Sequence, residues 1–156
     1  MRCIPSHASV AATGLLLAVL ALPIGGQEPA KIPTISSRYF VSGSAKVTVS
    51  GSFQIDQDVA INTAASYGDG EYTWLQFGIS GSEAPNALIT YGDGVGINVG
   101  RGKRTVTAEG DHCTGKVEVT KALVSGLYTC VGVISYDAAT RQMGKVDIQI
   151  RFTAKS

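Results

Sequence analysis

Residues 145–153 read Lys-Val-Asp-Ile-Gln-Ile-Arg-Phe-Thr, with polar and apolar side chains in strict alternation. A period of two places successive side chains on opposite faces, which predicts a strand that is buried on one face only. Residues 45–53 follow a similar alternation, whereas residues 72–79 are apolar on both faces, as a central strand would be. Shorter segments of this kind recur at intervals of about 8–12 residues, which is typical of sandwiches and barrels. The predicted fold is therefore an all-β antiparallel β-sandwich of about eight to ten short strands, with a small up-and-down β-barrel as the alternative.

The first 26 residues carry the features of a secretory leader. Arg2 provides a positive start, residues 15–22 are an uninterrupted apolar run, and the segment ends on small residues at Gly26. This is the order of a cleavable signal peptide. Because the apolar run is shorter than the roughly 20 residues of a membrane span, we expect cleavage after Gly26 and no transmembrane anchor after processing. The mature protein is then secreted, periplasmic or part of the cell envelope.

Two further segments follow the leader. Residues 27–41 contain two prolines and no periodicity, which indicates an extended N-terminal arm. Residues 42–156 contain all the predicted strands and are long enough for one packed domain. The predicted organisation is a leader at 1–26, an arm at 27–41 and a single β domain at 42–156.

The charge of the chain is balanced. It has 13 Lys and Arg against 12 Asp and Glu, and loss of Arg2 with the leader leaves 12 of each sign. A balanced chain has no general attraction to nucleic acid or to anionic membranes. We therefore expect no nucleic-acid partner, and the class of partner stays open between a protein and a glycan.

The cysteines predict one disulfide bond. Cys3 lies in the leader, and the remaining two, Cys113 and Cys130, are expected to pair in an oxidising compartment. An antiparallel hairpin of the two segments that carry them, centred after Lys121 with a four-residue loop, places Cys113 directly opposite Cys130. The same register gathers apolar side chains on one face: Val117, Val119, Val124 and Tyr128.

Residues suited to catalysis are few. His112 is the one histidine outside the leader, no serine lies in a Gly-x-Ser-x-Gly turn, and His112 fits an exposed loop beside the disulfide. Asp56 and Asp58 are predicted to share one strand face, where they could serve a glycan hydrolase or bind Ca²⁺, although no complete calcium loop is present. We assign no catalytic residue, no metal site and no cofactor, and leave open whether Asp56 and Asp58 bind calcium.

Two further groups of residues are candidates for ligand binding. Three cations within four residues, Arg101, Lys103 and Arg104, could hold a sulfate, a phosphate or an acidic glycan, and otherwise form a solvated turn. Four aromatic residues could provide a platform for sugar rings: Tyr67, Tyr72, Trp74 and Tyr91. Because Trp74 lies in the strand that is apolar on both faces, packing in the core is the stronger expectation for it.

The C-terminal part of the chain resembles a known class of proteins. Residues 113–120 read Cys-Thr-Gly-Lys-Val-Glu-Val-Thr, residues 124–130 read Val-Ser-Gly-Leu-Tyr-Thr-Cys, and residues 145–153 form the alternating last strand. This pattern resembles the ends of small exported bacterial β-sandwich proteins, including envelope lipoproteins of undefined activity. The resemblance implies an exported all-β domain and carries over no catalytic residues. The lipobox cysteine of such lipoproteins is absent here, so membrane attachment is not implied.

One function and two alternatives follow. We expect a non-enzymatic binding or structural module of the cell envelope or extracellular space. The first alternative is a secreted glycan hydrolase that uses paired carboxylates. The second is a carrier of a small ligand, if the strands close into a barrel around a cavity.

Overall fold

The computed structural model describes residues 38–68, 72–92 and 94–156. The predicted leader at 1–26 and residues 27–37 of the predicted arm lie outside the described residues. The end of that arm contains a short strand. Among the described residues, no helix is long and apolar enough to cross a lipid bilayer.

Eleven strands follow one another along the described chain. Nine of them have five residues or more, and a 3-10 turn at Gly110–His112 lies between the eighth and the ninth. The strands are β1 (Arg38–Tyr39), β2 (Ser42–Gly51), β3 (Ile55–Ala60), β4 (Tyr67–Gly68), β5 (Thr73–Phe77), β6 (Pro85–Tyr91), β7 (Val95–Arg101), β8 (Arg104–Glu109), β9 (Cys113–Val119), β10 (Leu123–Asp137) and β11 (Gln142–Lys155).

All eleven strands belong to one antiparallel sheet. Their order is β1-β4-β5-β6-β7-β8-β10-β11-β2-β3, and β9 pairs with β10 beside this path. Strand β10 is long enough to hold two partners on one edge: its second half pairs with β8 and its first half with β9. Strands β8 and β9 therefore lie end to end along β10.

The sheet is strongly curled. Its last strand in the order, β3, reaches β5 near the other end, where Asn62 N donates to Gln76 O at 2.7 Å and Gly78 N donates to Ala60 O at 2.8 Å. Gly78 has a φ of +71°, and a Cβ there would be 2.7 Å from the Pro85 carbonyl oxygen. The close approach at this junction therefore favours glycine.

Apolar side chains fill the inner face of the curl. Val47 of β2 pairs with Ile150 of β11, and both side chains are fully buried. The rings of Phe77 and Phe152, from β5 and β11, lie with their centroids 6.2 Å apart. Packed apolar side chains therefore occupy the space inside the curl.

The prediction of an all-β antiparallel fold is confirmed. The alternating segments at 45–53 and 145–153 coincide closely with β2 and β11, whose apolar residues face the core. The described strands form one curled sheet with the shape of a half-barrel, which is nearer to the barrel alternative than to two separate stacked sheets. The curl leaves a single convex outer face, where the candidate site lies.

Candidate functional site

Four aromatic side chains gather on the outer face of β1, β4 and β5. Tyr39 is the cross-strand partner of Tyr67, and Tyr67 is that of Trp74. Directly opposed residues in a sheet point to the same face. The rings of Tyr67 and Trp74 stack with centroids 4.8 Å apart and an angle of 23° between their planes. The ring centroid of Tyr72 lies 5.8 Å from that of Trp74. We call Tyr39, Tyr67, Tyr72 and Trp74 the aromatic face.

The aromatic face is open to solvent. Tyr39 is 78% exposed, Tyr67 and Tyr72 are each 40% exposed, and Trp74 is half-buried. Along β5 the inward side chains are Thr73, Leu75 and Phe77, so the expectation that Trp74 packs in the core is wrong. Tyr91 is buried on the inner face and does not join the group.

Uncharged polar side chains border the aromatic face. Trp74 pairs with Thr90 of β6, which pairs with Gly96 of β7, and Glu109 of β8 is the first charged residue along that row. A Cβ at Gly96 would meet the Thr90 hydroxyl at 2.6 Å, so the glycine leaves room for Thr90 to lie across the next strand. A parallel row contains Gln76, Leu88, Asn98 and Thr107, in which Asn98 Nδ2 donates to Thr107 Oγ1 at 2.8 Å. The surroundings suit a ligand that carries neutral hydroxyl and amide groups.

Sequence reasoning missed Tyr39 as a member of this group. It belongs to a strand of only two residues at the end of the predicted arm, where no alternation can be recognised. Its pairing with Tyr67 is the feature that brings it to the outer face.

The basic residues line a groove of mixed charge. Arg101, Lys103 and Arg104 border a groove of about 500 Å³ together with Glu83 and Asp137. Arg104 Nε lies 2.9 Å from Asp137 Oδ2, and a Cβ at Gly102 would be 2.8 Å from a Glu83 carboxylate oxygen. One of the three predicted cations thus has a carboxylate partner, and a second carboxylate lies close by. The groove is therefore less suited to an anion than the sequence alone suggested.

Asp137 anchors the turn between β10 and β11. Its carboxylate accepts hydrogen bonds from Arg104 Nε, from Ala139 N at 2.9 Å and from Thr140 N at 3.3 Å. The Arg104 hydrogen bond contributes most to a lowered pKa of this carboxyl group, whose usual value is 3.8. A group with a lowered folded-state pKa stabilises the fold above its unfolded pKa, and that contribution is lost as pH falls through the folded pKa.

We predict that Asp137→Asn is less stable than the wild type near neutral pH and that this difference narrows in acid. Asparagine keeps an oxygen for the turn amides but removes the charge that faces Arg104. Thermal unfolding midpoints of both proteins, measured from about pH 7 to about pH 3, test the prediction. A difference that stays constant over that range would contradict it.

Asp56 and Asp58 lie on the outer face of β3, opposite Thr48 and Lys46 of β2. Asp56 Oδ1 is 2.8 Å from Lys46 Nζ, and this contact is the main cause of a lowered pKa of Asp56 and a raised pKa of Lys46. A carboxylate that already has a cationic partner is a poor candidate for a calcium ligand or a general acid. Within the described ranges no three His, Cys, Asp or Glu side chains gather as a metal site would require.

Cys113 and Cys130 form a disulfide bond, with their Cα atoms 4.1 Å apart. They are direct cross-strand partners in the β9–β10 hairpin, and Val119 pairs with Val124 in the same register. The predicted register is thereby confirmed. His112 is exposed in the 3-10 turn immediately before Cys113.

The fold and the site define a disulfide-bonded all-β protein whose curled antiparallel sheet carries an aromatic face on its outer side. No family model matches the chain, no curated protein matches it, and no solved structure matches its fold.

Proposed function

We propose that this protein is an exported, non-enzymatic module of the cell envelope or extracellular space that binds an uncharged glycan on its aromatic face. The observation that carries the proposal is the solvent-accessible stack of Tyr67 on Trp74, 4.8 Å between ring centroids, with Tyr39 and Tyr72 beside it. Most exposed side chains on a protein surface are polar, so four neighbouring aromatic residues on one face suggest a binding surface.

The chemistry of a sugar matches these surroundings. A sugar ring offers an apolar face of C–H groups and a rim of hydroxyls, whereas a tyrosine or tryptophan ring is apolar and carries a polar tip. Gln76, two residues after Trp74 on β5, and Thr90 of the neighbouring β6 supply neutral polar groups for the hydroxyls. Because the first charged residue along the Trp74 row is Glu109, an uncharged glycan fits better than an acidic one.

Export is supported by three features of the chain. The Cys113–Cys130 disulfide is consistent with an oxidising compartment outside the cytosol. The leader-like order of residues 1–26 and the resemblance of the C-terminal segments to exported bacterial β proteins agree with this localisation. We propose that the mature chain begins near Gln27.

The single tryptophan of the chain makes the proposal testable by fluorescence. Trp74 is the only tryptophan, and it lies at the centre of the aromatic face. Titration of the exported protein with uncharged oligosaccharides of glucose, N-acetylglucosamine, xylose and mannose should produce a saturable change in emission with at least one of them. No saturable change with any of the four, together with no retention on the corresponding insoluble polysaccharides, would refute the proposal.

We predict that Tyr39→Ala weakens glycan binding about tenfold, which corresponds to about 1.4 kcal/mol. Tyr39 is 78% exposed, so its truncation removes ring contact without disturbing the core. Tyr136→Ala on β10 is the matched control, since Tyr136 is 42% exposed and lies outside the aromatic face. Equal losses of affinity in the two variants would contradict a site at the aromatic face.

A further inference from the structure

Strand β9 has one edge that is not paired with any strand of the described part of the chain. Within the described residues its only strand partner is β10, and no backbone hydrogen bond joins residues 114–119 to another segment. The amide of Cys113 donates to the Gly110 carbonyl in the 3-10 turn. An open edge of this length is a template on which another strand can pair.

The pairing with β10 decides which backbone groups point to the open edge. Cys113 and Cys130 are directly opposed with Cα atoms 4.1 Å apart, the short spacing of a non-hydrogen-bonded pair. At the other end of the hairpin, Thr120 N donates to Leu123 O at 2.8 Å. Because the two kinds of pair alternate, residues 114, 116 and 118 bond to β10. The backbone groups of residues 115, 117 and 119 therefore face the open edge.

We propose that two copies of this chain pair through their β9 strands, antiparallel about a two-fold axis at Val117. Val117 then opposes the partner's Val117. Gly115 opposes the partner's Val119, and Val119 opposes the partner's Gly115. These are the residues whose amides and carbonyls face the open edge, so each of the three pairs forms two hydrogen bonds. The interface is isologous, the arrangement of most homodimers, and joins the two sheets into one.

The side chains of β9 are self-complementary in this register. Lys116 opposes the partner's Glu118, and Glu118 opposes the partner's Lys116. Both residues are exposed, and they form non-hydrogen-bonded pairs, in which opposed side chains are closest. Opposite charges across strands stabilise pairing, whereas like charges directly opposite destabilise it. Charged side chains on natural sheet edges often prevent pairing with another strand. Here the charges alternate in sign, so they attract a second copy of the same strand.

The charges select one register among those that the backbone allows. A two-fold centred on any residue from 115 to 119 keeps the outward-facing backbone groups of the two strands together. Only the axis at Val117 opposes Lys116 to Glu118. Axes at residues 116 or 118 would oppose Lys116 to Lys116 or Glu118 to Glu118, which are like charges. On the inner face, Val117 and Val119 are half-buried against the core, and the partner strand would cover them further.

Reversal of one charge at a time tests the register. Lys116→Glu and Glu118→Lys each create two like-charged pairs across the axis, so each should raise the dimer dissociation constant about tenfold or more. A mixture of the two single variants restores both opposite-charge pairs and should form a heterodimer. The double variant Lys116→Glu/Glu118→Lys should dimerise like the wild type. Sedimentation equilibrium of the exported protein over a range of concentrations measures each case.

A backbone variant separates this edge from other surfaces. Val117→Pro removes an amide that faces the open edge and leaves the β9–β10 ladder intact, so we expect a monomer with the disulfide retained. Arg151→Glu, an exposed reversal on β11, is the control and should not change dimerisation. A wild-type chain that is monomeric at all concentrations would overturn the proposal. So would a dimer that neither Val117→Pro nor the single reversals weaken.

Discussion

Replacement of Phe152 by alanine should lower the free energy of unfolding by about 3–5 kcal/mol, the loss that is usual when a buried phenylalanine is truncated to alanine. Phe152 is 1% exposed and projects from β11 into the centre of the curl. Its ring lies 6.2 Å from that of Phe77 on β5 and 6.5 Å from that of Tyr128 on β10. Truncation therefore removes contacts to strands on both sides of the core and leaves a cavity that a closely packed interior cannot fill.

The matched control is Thr153→Ala, one residue further along the same strand. Thr153 points to solvent, and an exposed substitution away from special features usually changes stability by less than about 0.5 kcal/mol. Urea unfolding of the wild type and both variants measures the two differences. A loss below about 1.5 kcal/mol for Phe152→Ala would mean that the core of the curl is not closely packed around this ring.

Sequence patterns predicted the parts of the fold that depend on local alternation. Val146, Ile148 and Ile150 face the core because a strand that is buried on one side requires apolar side chains at every second position. The β9–β10 register was also predictable, since the two cysteines and the apolar residues each select it independently. Local patterns of this kind depend on chemistry that is visible in a few consecutive residues.

The partners of strands that are distant in sequence could not be predicted in the same way. Strand β11 pairs with β2, so Lys155 lies opposite Ser42, and no residue pattern marks two such strands as neighbours. The pairing of β8 with the second half of β10 likewise brings Arg104 to Asp137 and alters the charge of the predicted anion site. Long-range pairing is decided by the fit of the whole sheet, which one segment does not encode.

The candidate site was likewise predictable from the sequence only in part. The sequence grouped Tyr67, Tyr72 and Trp74 with Tyr91, which is buried. A strand that is apolar on both faces does not reveal which face is inside. Trp74 points outward because Leu75 and Phe77 occupy the inner face of β5. Tyr39 joins the site only through the pairing of two very short strands, which periodicity cannot predict.

Replacement of both Cys113 and Cys130 by serine should lower the free energy of unfolding by about 2–4 kcal/mol while leaving the fold unchanged. The bond joins residues that are 17 apart in sequence and restricts the unfolded chain more than the folded one. Among the described strands β9 has one partner, β10, so the bond also secures a strand that is paired along one edge. Amide hydrogen exchange in β9 should therefore rise more than in β11, whose two neighbours hold it on both edges.

Denaturant unfolding with and without a reductant provides the control, since reductant should destabilise the wild type to the level of the variant and leave the variant itself unaffected. Two free thiols in non-reducing peptide mapping, or equal unfolding midpoints for oxidised and reduced wild type, would contradict this prediction.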